Sequence, residues 1–332
     1  METETKIVAL GGGTGLSILL RGLKKVTSDV TAIVSVADDG GGSGVLREDL
    51  GMLPPGDIRS CILALANTEP IMEDLIKYRF QEGGLKGQSF GNLLIAALVG
   101  ISGSFEGAVE KISDIVAITG RVLPVTPSEM TLVAELEDGS RVVGESMIPV
   151  KVLESGQSIR KIRTKERHIK PLSDAIKAIE EADILVMGPG SLYTSIIPNL
   201  LVDDVTEAIC KSKAKRVYIP NIMTQPGETD DYTVRDHVQA LVDHGSSEMI
   251  DLVLVNDTRV DDIDLEYYEA EGSTPVYLTD EDKTYLDNLS IGYRTEDFML
   301  IDKGYVKHDA QKIAKCLVEL VGTKIYRKED ED

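Results

Sequence analysis

Two glycine clusters, Gly11-Gly12-Gly13-Thr14-Gly15-Leu16-Ser17 and Asp38-Asp39-Gly40-Gly41-Gly42-Ser43-Gly44, each follow a short apolar run. Glycine lets backbone N–H groups approach a ligand closely, and a helix N-terminus favours an anion. Gly12, Gly13, Thr14 and Gly15 therefore read as a phosphate cradle at the head of a helix over 16–23; a turn needed only for packing is the alternative. The second cluster adds carboxylates. Asp38 and Asp39 beside a phosphate loop suit Mg²⁺ held jointly with phosphate oxygens, or direct ligand contact together with Gly41 and Ser43, or simple turn stabilisation. Neither cluster has the spacing G-x-G-x-x-G or G-x-x-x-x-G-K-[ST], which argues against a dinucleotide fingerprint and a P-loop.

Further candidates recur along the chain. Asp57, at the end of Leu53-Pro54-Pro55-Gly56, suits a helix N-cap or a third acidic ligand. Arg47 and Arg59 lie near the proposed anion site, where a guanidinium can grip phosphate with two hydrogen bonds or simply form a surface ion pair. Ser89 and Asn92 open an apolar helix and can cap it or contact an anion. Gly188, Gly190 and Ser191 form a third loop between a strand and a helix, and Asn221, Thr224 and Gln225 stand after a fourth strand. Such recurrence points to a ligand with phosphate, sugar and base parts. His237 reads as a packed helical residue, and no Ser-His-Asp or Cys-His pattern supports nucleophilic catalysis.

Positioning these loops calls for a parallel sheet. Apolar runs at 6–10, 31–37, 184–187, 217–220 and 252–255 each end in Gly, Asp or Asn, and near-continuous apolar strands imply helices on both faces. Ligands bind beyond the carboxyl ends of such strands. Helical patterns fill the gaps at 57–67, 70–80, 92–100, 105–116, 172–182, 194–202, 206–211, 233–244 and 308–321. Residues 122–163, β-branched and turning near Glu137-Asp138-Gly139-Ser140, predict a small inserted antiparallel β segment within one Rossmann-like α/β domain over 1–326. The tail 327–332 reads as charged and disordered.

The 332 residues carry a formal net charge of −21 with a pI near 4.6. This balance argues against a general nucleic-acid or acidic-membrane binder. No run is apolar for long enough to span a bilayer, so no membrane insertion is expected and a cytoplasmic location is. Cys61, Cys210 and Cys316 imply no disulfide framework, and the four histidines show no zinc spacing.

The ordered motifs Gly11–Ser17, Ala37–Gly44, Pro54–Arg59, Ser89–Leu94 and Gly188–Ser195 together resemble the bacterial gluconeogenesis factor family (YvcK-like), which shares a fold with 2-phospho-lactate transferase (CofD-like). The resemblance spans about 6–322. It implies a UDP-sugar ligand such as UDP-N-acetylglucosamine, a role in cell shape and wall synthesis on gluconeogenic carbon, and a cell-wall synthesis protein as partner; a homo-oligomer is expected. The transferase relatives use a nucleotide-diphosphate donor and a divalent cation, so Asp38, Asp39 and Asp57 match metal and acceptor positions, and catalysis stays open. No cofactor is required by the binding reading; Mg²⁺ is the one admitted. Gln88 stands where many members carry His. Lys307, in Tyr305-Val306-Lys307-His308-Asp309, replaces a common Arg as a diphosphate contact, and Tyr268 can stack on a uracil ring or simply pack.

Overall fold

The computed structural model describes residues 4–261, 268–302 and 304–322. The strands are β1 (Ile7–Gly11), β2 (Val30–Val34), β3 (Arg121–Pro124), β4 (Leu132–Leu136), β5 (Arg141–Val143), β6 (Ile159–Thr164), β7 (Ile184–Met187), β8 (Lys215–Tyr218), β9 (Leu252–Asn256), β10 (Gly292–Glu296), β11 (Met299–Asp302) and β12 (Tyr305–His308). Seven form one parallel sheet, ordered β10-β9-β8-β7-β1-β2-β3. Every residue of β1, β2 and β7 is buried. This follows from their almost wholly apolar composition, Thr31 being the one polar side chain, since helices flank the sheet and no face is left for water.

All five strands expected from the apolar runs are present, and β3 and β10 extend the sheet at either edge. The inserted antiparallel sheet is smaller than the sequence suggested. Val122 lies in β3 and pairs with Ala32 in the parallel sheet, so the insertion proper is β5-β4-β6, beginning at Leu132. Its strands keep one apolar face, with Leu132, Ala134, Leu136, Val142, Ile159 and Ile162 buried in the single large core. A helix at Met147–Ser155 interrupts it.

Three helices matter for the site: α1 (Gly13–Leu23), α2 (Gly41–Leu50) and α3 (Gly56–Leu65). The second glycine cluster is therefore the first turn of α2 rather than a free loop. Glycine is a poor helix former, but close packing demands it here: a Cβ on Gly44 would stand 2.1 Å from the Asp39 carbonyl oxygen. A separate small cluster of Ile222, Met223 and Val260, joined by Tyr268, Met299 and Val306, lies against the β11–β12 hairpin. The tail at 327–332 lies outside the described residues. Among the described residues, no single helix is long and apolar enough to cross a membrane.

Candidate functional site

Chain order reverses at β1. Residues 7–124 build the sheet outward through β2 and β3, while β7 to β10 build it in the other direction. The crevice beyond β1 and β7 is thus the topological switch point, where doubly wound sheets bind ligands. A cavity of about 630 Å³ opens there, lined by Gly12–Gly15, Gly190, Ser191, Asn221–Gln225 and, from the far side, Tyr268 and Lys307.

Close approach explains the glycines. A Cβ on Gly15 would lie 2.5 Å from the Pro189 carbonyl oxygen, so the first and third glycine loops touch backbone to backbone. A Cβ on Gly12 would meet Asp57 Oδ2 at 2.6 Å. Asn221 holds the third loop like a strand partner. Its Oδ1 accepts from the Gly190 N–H and its Nδ2 donates to the Gly190 carbonyl, both at 3.1 Å. Gln225 Nε2 donates to Ser191 Oγ at 2.9 Å.

Asp57 does not cap its own helix. Pro55 occupies the N-cap position without a side-chain bond, and Asp57 lies in the first turn of α3. Its carboxylate accepts from the Gly13 N–H at the head of α1, so this anion position is touched by a protein carboxyl group. Burial, and then the charge of Asp38, push the Asp57 carboxyl up to about 6 despite that bond and Arg59. Glu145, delivered by the insertion, also lines the cavity, and burial followed by Asp38 and Glu228 pushes it to about 8. Buried Glu228, raised to about 7 by desolvation, accepts from Thr194 Oγ1 at 3.0 Å.

Other expected site residues lie elsewhere. Asp39 uses both oxygens on the insertion, accepting from the N–H of Glu145 at 3.0 Å and of Ser146 at 2.8 Å. Arg47 donates to Thr131 Oγ1 at 3.0 Å. Arg59 donates to Ser89 Oγ at 2.5 Å, and its Nε, Gln88 Oε1 and Asn92 Oδ1 are buried without partners. Gly41, Ser43, Arg47, Arg59, Ser89, Asn92 and Gly188 are not in the cavity wall, which instead takes in Ile18, Ser195, Glu271 and Ser273. Ser195 sat within the third glycine loop and was legible there; nothing local marked Glu145.

Of the two cluster aspartates, Asp38 faces the cavity, and its Oδ1 accepts from the Gly40 N–H at 2.9 Å. Lys307 is the one Lys or Arg in the wall among the described residues, paired with Asp302 at 2.7 Å. Tyr268 Oη accepts from the Val306 N–H at 2.8 Å, so the ring is anchored to β12 at the cavity edge. His308 Nε2 meets the Pro220 carbonyl at 3.1 Å, and desolvation lowers its pKa to about 4, leaving it neutral. Among the described residues, no three His, Cys, Asp or Glu side chains stand close enough to hold a metal by themselves. The hard oxygens of Asp38 and Asp57 suit Mg²⁺ only where ligand phosphates complete the shell.

The family model for 2-phospho-L-lactate transferase CofD matches residues 7–299, the whole parallel sheet. The chain belongs to the CofD family. Within that family it is similar to a Bacillus subtilis protein named gluconeogenesis factor, 46% identical over 322 residues that cover 97% of this chain and 99% of the relative. A Clostridium acetobutylicum protein, provisionally named a gluconeogenesis factor, is 52% identical over 317 residues, covering 95% of this chain and 69% of its own. A crystal structure from Bacillus halodurans, described as a UPF0052 family member, superposes with a TM-score of 0.91 at 42% identity, covering 95% of this chain and all of that one. The family match therefore takes in the glycine loops and the insertion around the cavity, while Lys307 and His308 lie past its end.

Proposed function

We propose that this CofD-family chain is a cytoplasmic nucleotide-sugar sensor. It binds a UDP-sugar such as UDP-N-acetylglucosamine and, in its bound form, supports cell shape and wall synthesis during growth on gluconeogenic carbon. The observation that carries this reading is the cavity at the β1/β7 switch point, lined by glycine loops together with amide and aromatic side chains. Its volume of about 630 Å³ is within the usual range for small-molecule sites. The diphosphate would take the N–H groups that follow Gly13 at the head of α1, with Lys307 as counter-charge. Asn221 and Gln225, whose amides brace the Gly190–Ser191 loop, would shape the wall that meets the base or sugar. The proton held by Glu145 at neutral pH reduces the negative charge that an anionic ligand meets. Ligand binding that favours one conformation would then expose or hide a surface for a wall-synthesis partner.

A second reading is favoured by the carboxyl groups of the cavity. Asp57 at about 6 and Glu145 at about 8 have the proton affinity wanted of a general base taking a proton from an acceptor hydroxyl. The matched family model is named for a transferase, and on this reading a phospholactyl-type group leaves a nucleotide-diphosphate donor for that acceptor.

Calorimetric titration with UDP-N-acetylglucosamine, GDP and NADH, each with and without Mg²⁺, tests both, with the ligand examined afterwards by mass spectrometry. Selective UDP-sugar binding with the ligand intact supports the sensor. A GDP preference that requires Mg²⁺, or a chemically altered ligand, moves the assignment to the transferase. Failure of every nucleotide to bind sinks both.

A further inference from the structure

The solvent face of the inserted sheet is basic, although the molecule as a whole is strongly acidic. Residues 159–170 contain six Lys or Arg and one acid, Glu166, in a chain of formal net charge −21. Strand register gathers these charges. Glu135 of β4 pairs with Arg141 on β5 and Lys161 on β6, while Val133 pairs with Val143 and Arg163. Their neighbours Ala134, Val142 and Ile162 point into the core, so alternation turns this set toward water. Arg160, next to a register shift, is exposed as well.

Glu135 is the one carboxylate among these paired positions. It lies 3.4 Å from Arg160 and 3.9 Å from Arg163. Arg141 and Lys161 form no ion pair with any described residue. Exposed Lys165, Arg167 and Lys170 continue the strip. Like charges gathered on a surface repel one another and contribute nothing to the fold, so the cluster calls for an external counterpart.

We propose that this face docks an acidic segment of a protein partner, an extended stretch with several Asp or Glu lying across β5-β4-β6. Three strands at the usual spacing span about 10 Å, the length of about three extended residues. Val133 and Val143 give the segment an apolar footing between the charges. A long polyanion fits less well. Beyond the strip it meets an acidic molecule whose repulsion reaches about 8–10 Å at physiological salt. The inference does not depend on what the cavity binds.

Fluorescence anisotropy of the full chain with a labelled octapeptide of glutamate and valine tests it, alongside the glutamine–valine counterpart. The wild type should bind the acidic peptide alone, and raising NaCl from about 50 to about 300 mM should weaken binding by about tenfold. Combining Arg141→Glu, Lys161→Glu and Arg163→Glu should lose binding by at least about tenfold. A variant with Lys177→Glu and Lys211→Glu, on the helices Ser173–Glu181 and Val205–Lys211 outside the inserted sheet, should stay within about twofold of wild type. Should the triple variant misfold by circular dichroism, the neutral pair Lys161→Gln and Arg163→Gln should still give a loss of about threefold. Equal binding by the charge-reversed or neutral variants, or no binding by the wild type, overturns the proposal. Tighter binding of a single-stranded oligonucleotide or a phosphatidylserine vesicle also overturns it, as does self-association through this face without peptide binding.

Discussion

Replacing Asp57 by Asn should make the protein more stable, although it alters the centre of the cavity. Folding raises this carboxyl from 3.8 to about 6, mainly by burial and secondarily through Asp38. Between those two values the folded chain holds a proton that the unfolded chain has released, so stability falls as pH rises through this window and stays low above it. At about 1.4 kcal/mol per pH unit the loss is about 3 kcal/mol by pH 7. Asn cannot ionise, and its Oδ1 can still accept from the Gly13 N–H, so Asp57→Asn should recover most of that loss. For 332 residues the unfolding entropy is about 0.7 kcal/mol per kelvin, which makes the gain a rise in Tm of about 4 °C. The assay is urea and thermal unfolding of both proteins at pH 7.5 and pH 5.0, the lower value staying above the pI of about 4.6. The gain should shrink to about half at pH 5.0. A variant no more stable at pH 7.5, or one with an equal gain at both pH values, would refute the argument that burial and Asp38 load this carboxyl.

Three further outcomes follow from the packing. Gly15→Ala places a methyl 2.5 Å from the Pro189 carbonyl, backbone against backbone, and should cost about 2 kcal/mol in urea unfolding. Asn221→Ala removes both bonds to Gly190 and should weaken UDP-sugar binding by about tenfold in calorimetry, with a stability loss of about 1–2 kcal/mol. Asp39→Asn, facing two N–H donors with one remaining acceptor oxygen, should loosen the insertion, seen as faster hydrogen exchange at Glu145 and Ser146 and a loss of about 1–2 kcal/mol.

The interior of the fold was readable in the sequence because parallel strands buried on both faces are unbroken apolar runs, as Ile7–Leu10 and Ile184–Met187 are. The edges were not. β10 reads Gly-Tyr-Arg-Thr-Glu and is half exposed, so it carries no apolar run, and β3 has the mixed burial of an outer strand. The helix at 41–50 was hidden by its glycines, whose poor propensity is overridden by packing against Asp39 and Gln88. Within the site, the loops at strand ends were legible because the switch-point rule is local to each strand. Glu145 was not, since it reaches the cavity only through the docking of a distant insertion by Asp39. Arg47 and Arg59 looked like anion ligands from proximity in sequence, but their side chains turn to Thr131 and Ser89.

The reversal of strand order has a consequence for how the protein is made. Gly15 packs its loop against Pro189, and Lys307 joins the same wall almost three hundred residues later. No partial product of translation owns a complete pocket. A chain clipped before the β11–β12 hairpin lacks Lys307 and its neighbours, and so keeps only part of the cavity wall even where its first strands have folded.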